Sequence, residues 1–168
     1  MPLQLYLRVT DTISEWAGKL FSWLILPLVA ALFYEVVARY AFNAPTVWAW
    51  DMSYMLYGAL FMLGAAYTLR LEGHVRVDVF YRLLRPRWRA VIDLLLYLIF
   101  FFPAMIVLLK YGMDYAWYAW SIQERAAVSP WRPPIYPLKT VIPVAAFLLL
   151  LQGVAQWVRS LTIALRRG

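Results

Sequence analysis

The chain has 168 residues, of which 64% are hydrophobic, and its mean hydropathy is +0.65. Soluble domains contain about 45–50% apolar residues, so this composition predicts an integral membrane protein. The chain has no cysteine and a single histidine, His74, which excludes disulfides, thiolate metal sites and bis-histidine haem ligation within it. The net charge of +7 does not indicate a nucleic-acid partner, because the basic residues lie at the ends of apolar segments. We therefore expect no metal, no cofactor and no nucleic acid.

Four apolar segments are each long enough to cross a hydrocarbon layer of ~30 Å. They predict an all-α fold, a single membrane domain over residues 1–168 built as a bundle of four transmembrane helices. The expected spans are about residues 20–42, 48–71, 89–118 and 138–158. Pro27 and Pro103 predict bends in the first and third spans. Residues 5–18 mix apolar and charged side chains, which favours a short helix along the membrane surface.

The segment between the second and third spans, residues 70–89, is the most basic part of the chain, with six arginines. Residues 77–84 predict a short amphipathic interfacial helix whose arginines face lipid headgroups. The candidate contacts to a partner or to headgroups are His74, Arg76, Asp78, Arg82, Arg85 and Arg87. With four spans, 11 of the 16 basic residues fall on the side of the two termini, so the termini are predicted to be cytoplasmic.

Charged residues also gather at the opposite end, around the connection between the first two spans. Glu35 and Arg39 share a helix face, and Asn43 continues that face by one turn. Pro45 ends the helix, Thr46 is a candidate N-cap, and Asp51 falls in the first turn of the next helix. We interpret Glu35, Arg39, Asn43 and Asp51 as a structural ion cluster that holds two helices together. A proton or ion site is the alternative.

No sequence motif indicates an enzyme, since the chain has no metalloprotease, nucleophile-elbow or phosphate-loop pattern. The expected spans also lack a clear polar cluster at their centres, which a self-sufficient transporter usually has.

Three stretches resemble one family: RYAFNAP (Arg39–Pro45) followed by Trp48 and Asp51, LGAAYTLRLEGHVRVDVFY (Leu63–Tyr81), and WRPPIYPLKTVIP (Trp131–Pro143). They are similar to the small permease subunit, the DctQ type, of tripartite ATP-independent periplasmic (TRAP) transporters. The resemblance covers residues 20–158. The chain departs from the family at Trp50, where many relatives have a polar residue beside the aspartate.

The resemblance implies a subunit of the bacterial inner membrane that partners a large, M-type permease subunit and a periplasmic binding protein, surrounded by phospholipids. It implies sodium-driven import of an organic acid, with the small subunit as a scaffold that helps the binding protein to dock. The candidate docking residues on the outer face are Trp48, Arg125, Trp131 and Arg132. Two alternatives stay open from the residues alone, a small four-helix exporter that uses Glu35 and a membrane anchor of an enzyme complex.

Overall fold

The computed structural model describes residues 2–71 and 86–165, and within these ranges it contains helices and no strand. The helices are α1 (Pro2–Ser22), α2 (Ile25–Ala41), α3 (Trp48–Arg70), α4 (Pro86–Leu96), α5 (Phe102–Ser121) and α6 (Tyr136–Leu165). A π-helical turn, Tyr97–Phe101, joins α4 to α5.

The first apolar segment is interrupted one turn before Pro27. Trp23 and Leu24 donate i→i−3 hydrogen bonds to Leu20 and Phe21, at 3.3 Å and 3.0 Å, and separate α1 from α2. Proline lacks an N–H and is tolerated in the first turn of a helix. The break places Pro27 in that first turn, so the bend expected near this proline forms as a tight turn ahead of it.

The bend in the third apolar segment has a similar cause. Phe102 donates its N–H to the carbonyl of Tyr97, which closes the wide π-helical turn. Pro103 follows in the first turn of α5, where its missing N–H and its ring would disturb a regular α-helical ladder. The third segment therefore accommodates Pro103 by forming a π-helical turn ahead of it.

α6 is the central helix of the bundle, since it contacts α1, α3, α4 and α5. The most extensive contact is that between α5 and α6. A Cβ atom on Gly112 would lie 3.0 Å from Ile142, and one on Gly153 would lie 2.2 Å from the Phe101 ring. The buried apolar residues are mostly alanines. Small residues of this kind let membrane helices approach each other closely.

Among the described residues, four helical stretches are long and apolar enough to cross a membrane: Leu3–Ala41, Trp48–Arg70, Arg87–Ser121 and Tyr136–Leu165. The predicted all-α architecture with four such helices is therefore confirmed. The short basic helix expected at residues 77–84 lies outside the described residues, and the cytoplasmic orientation of the termini stays a prediction.

The two ends of the bundle differ in what they carry. We call the end with the 42–47 turn and the 122–135 loop the loop end. We call the opposite end, where α1 contacts the last residues of α3 and the second half of α6, the α1 end.

Candidate functional site

At the loop end, Glu35 is bonded through both of its carboxylate oxygens. Arg39 donates to Oε1 from Nε at 3.0 Å and from Nη2 at 2.5 Å. Thr46 donates to Oε2 from its backbone N–H at 2.9 Å and also from its hydroxyl. Thr46 thus hydrogen-bonds Glu35 and does not cap α3. The N-cap of α3 is Val47, which makes no side-chain capping bond. The expected N-cap at Thr46 is wrong, because the α2 carboxylate takes its hydroxyl.

Asn43 ends α2 through its backbone conformation. Its φ of 49° lies in the left-handed region, which asparagine tolerates better than most residues, and the next residue, Ala44, donates to the carbonyl of Ala38 at 2.9 Å. This residue reverses the chain direction between α2 and Pro45.

Asp51 lies in the first turn of α3, and its carboxylate accepts a hydrogen bond from the hydroxyl of Ser129. Ser129 belongs to the 122–135 loop, 78 residues away along the chain. The four residues of the predicted ion cluster therefore lie at one end of the bundle but in two separate sets of contacts. Glu35 and Arg39 close the α2–α3 turn, and Asp51 ties α3 to the distant loop.

The 122–135 loop is anchored to the helices on both sides of it. Lys139 of α6 is only 7% exposed, donates to Glu124, and lies 3.8 Å from the centre of the Tyr115 ring. The indole N–H of Trp120 donates to the hydroxyl of Thr140 at 2.8 Å. A buried lysine requires such partners, because desolvating its charge without them is unfavourable.

Backbone hydrogen bonds order the same loop despite its prolines. Ala126 donates to the carbonyl of Pro133 at 2.9 Å, and Ile135 donates to that of Glu124 at 3.0 Å. Arg125 and Pro134 form an isolated antiparallel bridge. The proline-rich sequence excludes an extended strand, and these few bonds give the loop a defined shape.

A cleft of about 400 Å³ opens between the start of α3 and this loop. Its walls are mainly apolar, and its one carboxylate is that of Asp51. The residues that line it are Val47, Trp50, Asp51, Tyr54, Met55, Ala126, Val128, Ser129, Pro130, Pro133 and Ile135. The Asp51–Ser129 hydrogen bond joins the two walls.

The candidate docking residues all lie at the loop end. Arg125, Trp131 and Arg132 are exposed on the 122–135 loop, and the ring of Trp48 lies 5.3 Å from that of Tyr34 on α2. Sequence reasoning overlooked Val128, which is 98% exposed on the same loop. It follows two alanines and precedes Ser129, so no sequence pattern singles it out.

The α1 end holds a larger polar network. Asp11 of α1 accepts from Arg159 and from Gln152 of α6, the latter at 3.2 Å. Glu15 of α1 accepts from Arg70 of α3 at 2.8 Å. These three helices are therefore held together by charge-assisted hydrogen bonds.

A buried pair lies beneath this network. Ser14 and Gln152 are 1% and 0% exposed, and the serine hydroxyl donates to the amide oxygen of Gln152 at 2.8 Å. One turn further along α6, Gln156 donates to the carbonyls of Leu69 and Arg70, at 3.3 Å and 3.4 Å. Both glutamines therefore hydrogen-bond residues of neighbouring helices.

Sequence reasoning missed Asp11, Glu15 and Arg70 as members of one site. Residues 5–18 were expected on the membrane surface, and α1 does carry exposed apolar residues. Its polar side, however, faces the bundle. The available signal was the spacing of Asp11, Ser14 and Glu15, which places three polar groups on one helix face.

Of the predicted basic contact segment, His74, Arg76, Asp78, Arg82 and Arg85 lie outside the described residues. Arg87 is described and is exposed in the first turn of α4. Within residues 2–71 and 86–165, no group of three or more histidine, aspartate or glutamate side chains is placed to hold a metal ion.

A family model described as the DctQ component of tripartite ATP-independent periplasmic transporters matches residues 28–163. The chain belongs to the DctQ family. Comparison with curated proteins finds no match. Both ends of the bundle fall largely within the matched range, and only α1 and the start of α2 precede it.

Membership makes the chain a small membrane subunit of a TRAP transporter, and the four long apolar helices make it a multi-pass membrane protein. DctQ is a transporter component family and not a family of enzymes. Its members work together with a large permease and a binding protein.

Proposed function

We propose that this DctQ subunit is the scaffold of a sodium-driven importer in the bacterial inner membrane. A periplasmic binding protein delivers an organic acid, and the large permease subunit holds the substrate and the sodium ions. The small subunit stabilises the static part of the complex and presents its loop end to the binding protein. It carries no transport site of its own.

One observation carries this proposal: the charged groups lie at the two ends of the bundle, and the middle of each long helix has none. Residues 20–34, 52–69, 94–109 and 140–158 contain no Asp, Glu, Lys, Arg or His. Transporters with their own site use polar groups near the membrane centre, often on interrupted helices. The π-helical turn Tyr97–Phe101 is explained by Pro103, and its exposed residues Leu98, Ile99 and Phe100 offer no polar group.

The geometry of Glu35 disfavours the exporter that would use it as a coupling acid. A coupling carboxylate must bind and release a proton or an ion in each cycle. Both oxygens of Glu35 are instead bonded, to Arg39 and to Thr46. Its contacts suit a residue that closes a turn.

The anchored 122–135 loop supports the docking role. Its position is set by Lys139–Glu124, by Trp120–Thr140 and by Asp51–Ser129. A preordered surface loses little conformational freedom on binding. Arg125 and Arg132 would attract an acidic patch on the binding protein, an attraction that weakens as salt is raised.

Reconstitution tests the proposal. Proteoliposomes with this subunit, the large permease and the binding protein should take up the acid only when sodium is higher outside. Proteoliposomes that contain the small subunit alone should take up none. Uptake by the small subunit alone would overturn the scaffold role, and sodium-independent uptake by the full complex would overturn the coupling.

Reporter fusions test the orientation. A fusion after Arg125 should report the periplasm and a fusion after Arg85 the cytoplasm, because most basic residues lie on the side of the termini. The opposite pattern would place the loop end in the cytoplasm, where it could not meet a periplasmic binding protein.

A further inference from the structure

The outward side of α3 differs from the exposed side of α4 and α5. We call it the open face of α3, and its members are Trp50, Tyr54, Tyr57, Phe61, Gly64 and Thr68. Their spacing alternates between four and three residues, which places them along one side of the helix. The four aromatic members are between 60% and 77% exposed.

Two tyrosine hydroxyls on this face lack a hydrogen-bond partner among residues 2–71 and 86–165. They belong to Tyr54 and Tyr57, and the ring of Tyr57 stacks on that of Phe61 with the centres 6.3 Å apart. Tyr57 lies nine residues after the start of α3, about 13 Å along the helix axis, and so near the middle of a hydrocarbon layer of ~30 Å. A hydroxyl that faces acyl chains at that depth is unsatisfied, and this is unfavourable.

The face also has an open position toward the α1 end. A Cβ atom on Gly64 would meet nothing within 4 Å, and Thr68, one turn later, donates its hydroxyl to the Gly64 carbonyl at 3.2 Å. This glycine therefore leaves space on the outside of the bundle. At Gly112 on α5 and Gly153 on α6, by contrast, residues of neighbouring helical segments fill the space where a Cβ atom would lie.

The exposed side of α4 and α5 provides the contrast. Its large exposed residues near the membrane centre include Leu95, Leu96, Leu98, Ile99, Phe100, Ile106 and Val107, none of which has a polar side-chain atom. This composition suits lipid. Only hydrogen-bonding groups from another protein segment would satisfy the hydroxyls on α3 at the same depth.

We propose that the open face of α3 binds a transmembrane helix of the large permease subunit, an inference that rests on the proposed function. The partner helix packs closely at Gly64 and offers a carbonyl or a polar side chain to Tyr57. The alternating spacing fits a left-handed crossing at about +20°. At the loop end, the partner continues past Tyr54 and Trp50 into the cleft, which these two residues line.

Site-specific photo-crosslinking in membranes that contain the whole transporter tests this interface. A benzophenone amino acid replaces Phe61 or Tyr57 in the open face, and Phe100 in the matched control on the apolar exposed side of α4 and α5. We expect an adduct with the large subunit from positions 57 and 61, and none from position 100.

Each other outcome overturns the inference. An adduct of two small subunits, of about twice 19.6 kDa, would mean that α3 binds a second copy of the chain. A missing protein adduct at 57 and 61 while the large subunit still copurifies would mean that lipid covers the face, and the proposed function would survive. Equal adducts from 61 and 100 would remove the distinction between the faces. Failure of the two subunits to copurify would reject the proposed function as well.

Gly64→Leu gives a second, independent measurement, with Ala104→Leu on the exposed side of α5 as its control. The space around Gly64 leaves the isolated subunit intact, which an unchanged melting temperature checks. We expect Gly64→Leu to reduce the copurified large subunit by at least about tenfold and Ala104→Leu to leave it unchanged. Equal recovery with both variants would overturn the interface.

Discussion

The loop end and the α1 end of this DctQ subunit are both polar, but they are built in different ways. At the loop end, the contacts of Glu35 reach residues 4 and 11 positions away. At the α1 end, those of Asp11 and Ser14 reach α6 residues 138 to 148 positions away. The first set shapes a turn, and the second determines which helices are neighbours. Substitutions at the α1 end should therefore affect the whole bundle, and those at the loop end a local surface.

The largest effect is expected for Gln152→Leu at the α1 end. The side chain is 0% exposed, and its loss leaves the hydroxyl of Ser14 without its acceptor inside the bundle. An unsatisfied buried group costs about 1–3 kcal/mol, so we expect the free energy of unfolding to fall by about 2–3 kcal/mol. Thermal unfolding in detergent measures it. Gln4→Leu, at an exposed position of α1, is the control; a fall no larger than the control's would show that the network does not hold the bundle.

Lys139→Met at the loop end should have an intermediate and more local effect. It removes the cation that holds Glu124 and covers the Tyr115 ring. Breaking a buried pair costs about 3–5 kcal/mol, and the partial exposure of Glu124 lowers our expectation to about 2 kcal/mol. The 122–135 loop should loosen first.

Tryptic cleavage after Arg125 measures that loosening. It should accelerate in Lys139→Met and stay unchanged in Lys110→Met, whose lysine is exposed. If the melting temperature falls while the cleavage rate stays the same, Lys139 stabilises the bundle as a whole and the contrast between the two ends is weaker than proposed.

A double-mutant cycle on Asp51 and Ser129 should reveal a smaller coupling. The two residues share one hydrogen bond across the cleft, so Asp51→Ala and Ser129→Ala should be non-additive by about 1 kcal/mol. Chemical unfolding of the two single variants and the double variant measures the coupling. Full additivity would mean that this contact does not join α3 to the loop.

Arg39→Ala should produce the smallest change. Its side chain is 55% exposed, and Glu35 keeps its two bonds from Thr46. Exposed ion pairs contribute little, so we expect the melting temperature to fall by no more than about 1–3 °C. The control is Arg8→Ala in α1. A fall as large as that of Gln152→Leu would place the main support of the bundle at the loop end.

The features that could be predicted from the sequence are those that depend on residues close together in the chain. Hydropathy and length predicted the membrane class and the four apolar helices, because each span must satisfy its own backbone hydrogen bonds. The i,i+4 spacing predicted that Glu35 and Arg39 share a face, since the helical period alone sets that geometry.

The residue pattern did not predict which polar groups meet across the bundle, because these contacts depend on how the helices pack. Asp51 was expected to join the ion cluster at the α2–α3 turn, and Thr46 was expected to cap α3. Asp51 instead bonds Ser129, and Thr46 bonds Glu35. The polar side of α1 faces α3 and α6 because Arg70, Gln152 and Arg159 donate hydrogen bonds to its carboxylates. The partner of each polar group depends on how its helix is rotated about its axis and on which helix lies beside it. In this chain, small residues such as Gly153 set that packing through contacts between residues far apart in the sequence.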